Sequence, residues 1–146
     1  MIQDKKLSYE FIRGFIESKG TFTFSSNNKI HRKVPAFAIK TNIRNKELIE
    51  KIRDSMGLEN KVYEYNHQKN DGYKREPQAM LIVREFGQLK NIIVPFFYKR
   101  LKGNKGKQFE QWLENIGNDP AVPETFKFIY KIHKAGFYDK NPKFVD

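Results

Sequence analysis

The hydrophobic period of the chain changes at Gly20, and this change constrains the fold more than any other feature of the sequence. Before it, "SYEFIRGFIESK" places its apolar residues on one broad helical stripe, with Ser8 as a candidate helix cap. After it, "TFTFSS" alternates apolar and polar residues, which predicts a half-buried strand. The sequence therefore predicts a helix that ends at a glycine and continues directly into a strand.

The same succession of periods returns further along the chain, and three more helical segments follow it. "VPAFAIKTN" completes a first strand pair, "NKELIEKIRDSMG" is a second helix, and "NKVYEYNHQ" and "PQAMLIVRE" form a second strand pair around the turn Asp71-Gly72. "FGQLKNIIVPFF" is predicted to be helical until Pro95, residues 107–116 form another helix, and a last helix begins near Pro123, before an irregular tail. The order α-β-β-α-β-β-α-α-α indicates a single α+β domain over residues 1–146.

The charge balance of the chain points to a polyanionic partner. Its 146 residues include 28 Lys and Arg against 17 Asp and Glu, a net charge of +11. Such an excess favours nucleic acid or an anionic membrane surface, and the alternative is that the charge only keeps the protein soluble. No apolar run approaches the roughly 20 residues of a membrane span, and there is no cysteine for a disulfide or a thiolate metal site. We expect an intracellular, soluble protein with nucleic acid, not a membrane, as its partner.

Two small residues share one face of the first predicted helix. Gly14 and Ser18 lie four positions apart, so they are stacked on the same side. A glycine inside a helix costs about 1 kcal/mol relative to alanine, and some contact should offset that loss. Either another backbone approaches this face closely, or a bulky core side chain of the same chain fills the space beside Gly14.

The stretch "IRGFIESKG", residues 12–20, resembles the nine-residue motif of the LAGLIDADG homing endonucleases. Gly14 matches the first glycine of the motif, Glu17 its first acid, Ser18 its second small residue and Gly20 its final glycine. The α-β-β-α-β-β order and the segments "FAIKTN…ELIEKI" and "GNKGKQFEQW" extend the resemblance over about the first 117 residues.

The resemblance implies an αββαββα fold over about residues 7–117, a C-terminal helix at about 123–135, and a four-stranded antiparallel sheet lying over double-stranded DNA. Single-motif members are homodimers in which two motif helices cross, which implies a dimer interface at Phe11, Gly14, Phe15 and Ser18. The outer sheet face and its loops would enter the major groove, which admits a two-stranded ribbon. The implied contact residues, each of which could instead be a solvated surface residue, are Ser25, Asn27, Lys29, His31, Arg32, Lys40, Arg75 and Gln78.

Lys19 stands at the position of the motif's last acid. In the family this acid is a metal-binding carboxylate, one from each subunit, and the ions it holds over the scissile phosphates are divalent, such as Mg²⁺. An ammonium offers no lone pair to a metal, and Glu17 lies about 200° around the helix, which leaves the Gly20 backbone as a donor. We therefore expect poor Mg²⁺ binding and a Lys19 that pairs with DNA phosphates. Whether the lysine is natural or a replacement stays open.

The resemblance also implies two further catalytic positions. Lys105 matches the basic residue that steadies the water network or the phosphate charge near the cut, although it could equally be a phosphate clamp. Thr41, or its neighbour Asn42, falls near the polar residue that positions water.

Three functions follow from these features. The chain could be a site-specific, Mg²⁺-dependent endonuclease that makes double-strand breaks, a non-cleaving DNA-binding protein, or an RNA-splicing maturase. We favour a homing endonuclease by ancestry that binds double-stranded DNA sequence-specifically as a homodimer, with its cleavage impaired by Lys19.

Overall fold

The fold is α+β, as the sequence predicts, with one four-stranded antiparallel sheet in the strand order β1-β2-β4-β3. The computed structural model describes residues 6–27, 29–66 and 76–145. In chain order the elements are α1 (Tyr9–Lys19), β1 (Gly20–Asn27), β2 (Arg32–Asn42), a 3₁₀ turn (Ile43–Asn45), α2 (Lys46–Met56), β3 (Tyr63–Tyr65), β4 (Gln78–Val83), α3 (Phe86–Gln88), a π-helical stretch (Leu89–Ile93), α4 (Val94–Phe97), α5 (Asn104–Asn118), α6 (Glu124–Lys134) and α7 (Phe137–Lys140).

The junction between α1 and β1 follows from the residues at its two ends. The Ser8 hydroxyl accepts a hydrogen bond from the Phe11 N–H at 3.1 Å and caps the helix. At the other end, a Cβ on Gly20 would overlap the Cγ2 atom of Ile16 and lie 3.1 Å from the Ile16 carbonyl oxygen. The absence of a side chain at Gly20 therefore lets the strand leave the helix while staying packed against its last turn.

The core lies between the helices and one face of the sheet. Phe22 is at its centre, with its ring centroid 4.9 Å from that of Phe109, 5.3 Å from that of Phe37 and 5.4 Å from that of Trp112. The Trp112 indole N–H donates to the Thr23 carbonyl at 2.7 Å, which fixes α5 against β1. One buried cluster extends from Ile12 in α1 to Tyr138 in α7. All of this packing is on one face of the sheet. The opposite, outer face takes no part in this buried cluster.

The prediction that Pro95 ends a helix is wrong. The helical backbone continues through it to Phe97. The wider π-helical turn directly before Pro95 accommodates the proline ring inside the continuous helix. The continued helix buries Phe96 and Phe97 completely.

Three other boundaries differ from the sequence prediction. Helix α5 is longer than residues 107–116, and β3 contains only Tyr63–Tyr65 within the described residues, while the predicted turn at residues 71–72 lies outside them. The tail is not wholly irregular, because α7 buries Tyr138, whose hydroxyl donates to the Lys90 carbonyl at 3.0 Å.

Across the described ranges, no helix has both the length and the apolar character that crossing a membrane requires.

Candidate nucleic-acid interface

The outer face of the sheet is built by strand alternation. Register places Ala38 opposite Ile82 and Lys40 opposite Met80, with Tyr63 beyond Met80 on the edge strand. Side chains at alternate positions share a face, so these residues point away from the buried Phe37 and Ile39. The described outer-face residues of β1 and β2 also include Thr21, Thr23, Ser25, Arg32 and Val34.

Most of the predicted contact residues lie on or beside this face. Ser25, Lys40 and Gln78 occupy outer-face positions, and the exposed Arg32 starts β2. Lys29 and His31 are exposed in the β1–β2 turn, where His31 has a φ of 48°. Asn27 ends β1 with a side chain that is not described, and Arg75 lies outside the described residues. Their role in binding stays a prediction.

Three outer-face residues were missed by the sequence analysis. Arg84 follows β4, and its Nη1 atom donates to the Ser25 Oγ atom at 3.2 Å, so its side chain crosses the intervening strand β2. Tyr63 and Tyr65 are 53% and 39% exposed, and the Lys40 Nζ atom lies 5.1 Å from the Tyr65 ring centroid. Continuing the alternation of "QAMLIV" by one step would have placed Arg84 on the outer face.

The β1–β2 hairpin is tied, close to its turn, to the loop between α5 and α6. The Lys33 N–H donates to the Ala121 carbonyl at 3.0 Å, and the Lys33 ammonium pairs with Asp119 at 3.1 Å. The Ala121 N–H and the Lys33 ammonium both favour the charged carboxylate, and they lower the pKa of Asp119 below its usual value. The turn that carries Lys29, His31 and Arg32 is thereby held at the residue that directly follows it.

At the end of α1, the two charged residues of the motif have separate environments. Lys19 is exposed, whereas the Glu17 carboxylate accepts hydrogen bonds from the Lys102 N–H at 3.0 Å and the Gly103 N–H at 3.2 Å. Glu17 therefore holds the loop that leads into α5. Its oxygens satisfy backbone amides rather than extending beside Lys19.

Lys105 and the backbone of β1 both hydrogen-bond to the side chain of Gln108. Its Nζ atom donates to the Gln108 Oε1 atom at 3.3 Å, and the same oxygen accepts from the Phe22 N–H at 3.3 Å. A cleft of about 370 Å³ is lined by Glu17, Gly103, Asn104, Lys105 and Gln108. The Gln108 side chain thus links the Lys105 ammonium to the backbone of β1.

Thr41 lies on the inner face of the sheet, and its catalytic role stays a prediction. It is 6% exposed, shares the inner sheet face with Phe37 and Ile39, and its hydroxyl accepts from the Asn45 Nδ2 atom at 3.3 Å. Its neighbour Asn42 is on the outer face, where its Oδ1 atom accepts from the Arg44 N–H at 2.9 Å. Of the two positions that the sequence left open, Asn42 is the one that faces outward.

The predicted dimer residues form an accessible stripe on α1. Phe11 is 46% exposed, Gly14 and Ser18 are exposed, and Phe15 is half-buried. No atom that the structure describes lies within 4 Å of an ideal Cβ at Gly14, apart from the helix's own backbone and chain neighbours. Within the described chain, therefore, no bulky side chain explains the glycine.

Arg13 is a motif residue whose role the sequence did not reveal. It is 7% exposed, its Nε atom donates to the Phe96 carbonyl at 2.9 Å, and its Nη2 atom donates to the Phe144 carbonyl at 2.8 Å. Its guanidinium carbon also lies 4.7 Å from the Phe96 ring centroid. Arg13 therefore fastens both α4 and the C-terminal tail to α1.

The donors around Lys19 do not fit Mg²⁺. No group of three or more His, Cys, Asp or Glu side chains within residues 6–27, 29–66 and 76–145 could hold a metal ion. The ammonium of Lys19 has no lone pair, Glu17 is engaged by backbone amides, and Mg²⁺ prefers several oxygen ligands.

A comparison with known protein families shows to which family the chain belongs. A family model described as LAGLIDADG endonuclease matches residues 12–116, from within α1 to within α5. The chain belongs to the LAGLIDADG endonuclease family. This is a family of site-specific DNA endonucleases that generally use divalent metal ions.

Solved structures of LAGLIDADG endonucleases share the fold. The chain is 22% identical to the homing endonuclease I-TnaI, with a TM-score of 0.57, covering 75% of this chain and 71% of that one. It is 21% identical to I-GzeII in complex with its DNA target (TM-score 0.60, 92% of this chain and 45% of that one). It is 23% identical to I-LtrWI bound to target DNA (TM-score 0.60, 74% and 36%). The chain thus spans less than half the length of the last two. No curated protein sequence matches it significantly.

Proposed function

We propose that the chain binds double-stranded DNA sequence-specifically as a homodimer and cleaves it poorly or not at all. Membership of a DNA endonuclease family supports the first half, as do the fold relatives solved on DNA targets. Lys19 at the end of α1 is the single observation that carries the second half.

The uncovered face of the sheet is the surface proposed to meet DNA. Cationic side chains stand at both ends of its central strands, with Arg32 and Arg84 at one end and Lys40 at the other. In a dimer the net charge of +11 is doubled, and phosphate neutralisation then controls affinity. The affinity should fall by roughly 0.9 log unit per log unit of salt for each phosphate that is neutralised.

The proposed dimer contact is the exposed stripe of α1. A helical glycine with no close neighbour in the described chain and an exposed phenylalanine one turn before it are unfavourable in isolation. A second copy of α1 crossing at Gly14 would bury Phe11 and make use of the missing side chain. The single buried cluster from Ile12 to Tyr138 supports treating each subunit as one domain.

The proposed loss of cleavage rests on charge at the end of α1. Two lysines brought together by the dimer would repel divalent cations and attract phosphate oxygens. Lys19 would then occupy the place of a bound cation, which retains affinity for the backbone without a group that activates water.

Incubation of the dimer with a duplex selected from a random pool, in the presence of Mg²⁺, tests this proposal. We expect a complex of two subunits per duplex with little cutting, and cutting by the Lys19→Glu variant. Lys131→Glu makes the same charge change at an exposed position of α6 and should not produce cutting.

Efficient cutting by the unaltered chain would contradict the proposed impairment. A Lys19→Glu variant that stays inactive would show that Lys19 is not its cause. Tighter binding to folded intron RNA than to the duplex would instead indicate a maturase.

A further inference from the structure

The middle of the outer sheet face is apolar, although its ends are charged. Between Arg32 and Lys40 the outer-face residues of β2 are Val34, Ala36 and Ala38. Between Gln78 and Arg84 those of β4 are Met80 and Ile82. Four of these, Val34, Ala38, Met80 and Ile82, are half-buried and keep part of their side chains accessible. We call these four residues the apolar strip.

Register places Ala38, Met80 and Ile82 side by side on the two central strands, whereas the Arg84 side chain, which crosses β2 to Ser25, lies between them and Val34. Ala38 is directly opposite Ile82, and Met80 is the next outer-face residue of β4. Val34 lies four residues before Ala38, roughly 13 Å along an extended strand. At about 3.4 Å per base pair this length corresponds to about four base pairs of a duplex.

The charges around the strip identify its occupant as nucleic acid rather than a protein surface. The Arg84 guanidinium is held across β2 by Ser25 at 3.2 Å, the Lys40 ammonium lies over the Tyr65 ring at 5.1 Å, and Arg32 is exposed. Arg32 and Lys40 thus lie on β2 beyond Val34 and Ala38, and Arg84 crosses β2 between Val34 and Ala38. A ribbon with a basic rim and an apolar centre can bring its centre against base edges while its rim meets phosphates.

An apolar surface can recognise one group in the major groove. Thymine alone among the four bases presents a methyl group there, and apolar side chains contact it. Every base pair, including the O4 acceptor of thymine, also presents donors or acceptors at this edge, and these lose water against the strip without gaining a partner. Thymine alone offsets part of this loss, because its methyl group gains an apolar contact. The side chains of the strip offer no hydrogen-bonding oxygen or nitrogen in exchange.

We propose that the apolar strip of Val34, Ala38, Met80 and Ile82 selects thymine in each DNA half-site by contact with its 5-methyl group. This inference rests on the proposed DNA binding and adds the base that the centre of the sheet reads. Arg84 and Lys40 then contact the positions that flank the thymines. Cytosine methylated at carbon 5 carries the same methyl group and should bind better than unmethylated cytosine at these positions.

The test begins with a target duplex selected from a random pool and compares it with a copy in which deoxyuridine replaces every thymine of the half-sites. Deoxyuridine removes the methyl group and leaves the pairing edge unchanged. Burying one methyl group strengthens binding about fourfold. Loss of two methyl groups per half-site should therefore weaken binding of the substituted duplex at least tenfold, as measured by fluorescence anisotropy. Restoring the methyl group as 5-methylcytosine, compared with cytosine at the same positions, should strengthen binding.

The Ile82→Thr variant separates methyl recognition from a change in duplex shape. It keeps a β-branched side chain but puts a hydroxyl in the strip, and the thymine-to-deoxyuridine ratio should fall towards one. Val145→Thr is the matched control, because Val145 is 59% exposed in the C-terminal tail, and it should keep the full ratio. Melting temperatures of both variants establish that they are folded.

Equal binding of the thymine and deoxyuridine duplexes would overturn this inference and leave the proposed DNA binding intact. An unchanged ratio in Ile82→Thr, or a selected target without thymine in the half-site centres, would also overturn it. Failure to bind any duplex would overturn the proposed function itself. The two failures are therefore distinguishable.

Discussion

The two α-β-β units of the chain are built in the same order but differ in what their helices leave exposed. Helix α2 is amphipathic in the ordinary sense, with Ile49 and Ile52 buried and the exposed Lys51 paired with Glu47 at 3.8 Å on its solvent side. Helix α1 buries Ile12 and Ile16 on one side and presents Phe11, Gly14 and Ser18 on another.

Their glycines differ in the same way. Gly57 ends α2 with a φ of 82°, and Gly20 ends α1 where a Cβ would overlap Ile16, so the chain itself requires both. Gly14 has a helical position and no close neighbour among the described residues. The glycine that ends α2 is thus explained within the chain, whereas Gly14 is explained by the proposed crossing with a second copy of α1.

Replacing Gly14 by leucine should have the largest effect on assembly. A leucine side chain would separate two helices that cross at this point, and we expect affinity for duplex DNA to fall at least a hundredfold while light scattering detects single subunits. The free energy of unfolding of the subunit should stay the same or rise by up to about 1 kcal/mol, because glycine is a poor helix former. Lys51→Leu on the solvent face of α2 is the control and should leave assembly unchanged. A Gly14→Leu protein that still binds as a pair would remove the distinction between the helices.

Gly20→Ala should destabilise the subunit. The added Cβ would overlap Ile16 and lie 3.1 Å from its carbonyl oxygen, and overpacking of this kind costs about 1–3 kcal/mol. Urea denaturation measures the loss. Gly87→Ala, where no described atom lies within 4 Å of the new Cβ, should be neutral or slightly stabilising. Equal stabilities of the two variants would show that the α1–β1 junction can relax.

Gly57→Ala should have the smallest effect, and on stability alone. The left-handed conformation at a φ of 82° costs an alanine roughly 1–2 kcal/mol. Asparagine tolerates this conformation better, so Gly57→Asn should recover part of the loss in thermal melts. DNA affinity below the melting range should be unchanged for both. A loss of affinity would instead implicate α2 in binding.

The fold was largely predictable because the hydrophobic period of each segment indicates whether it is a helix or a strand. The switch from helical to alternating period at Gly20 placed α1 and β1, and the alternation of "QAMLIV" gave β4 with its buried and outer faces. Pro95 was misjudged because proline rules describe an isolated helix, whereas here a π-helical turn and the buried Phe96 and Phe97 support the backbone. The sequence left Thr41 and Asn42 as alternatives for one catalytic position, and strand register, which only the structure gives, places Thr41 on the inner face and Asn42 on the outer face.

By itself, the sequence determined which groups the chain can use: a lysine directly before Gly20, a glycine and a serine on one face of α1, and an excess of positive charge. Which of these groups meet was decided by the tertiary structure. Arg13 reaches the carbonyls of Phe96 and Phe144, 83 and 131 positions away, and Arg84 crosses β2 to Ser25. The residues next to Arg13 and Arg84 in the sequence do not indicate these contacts. The contacts form only when distant elements pack together and buried backbone oxygens need a donor.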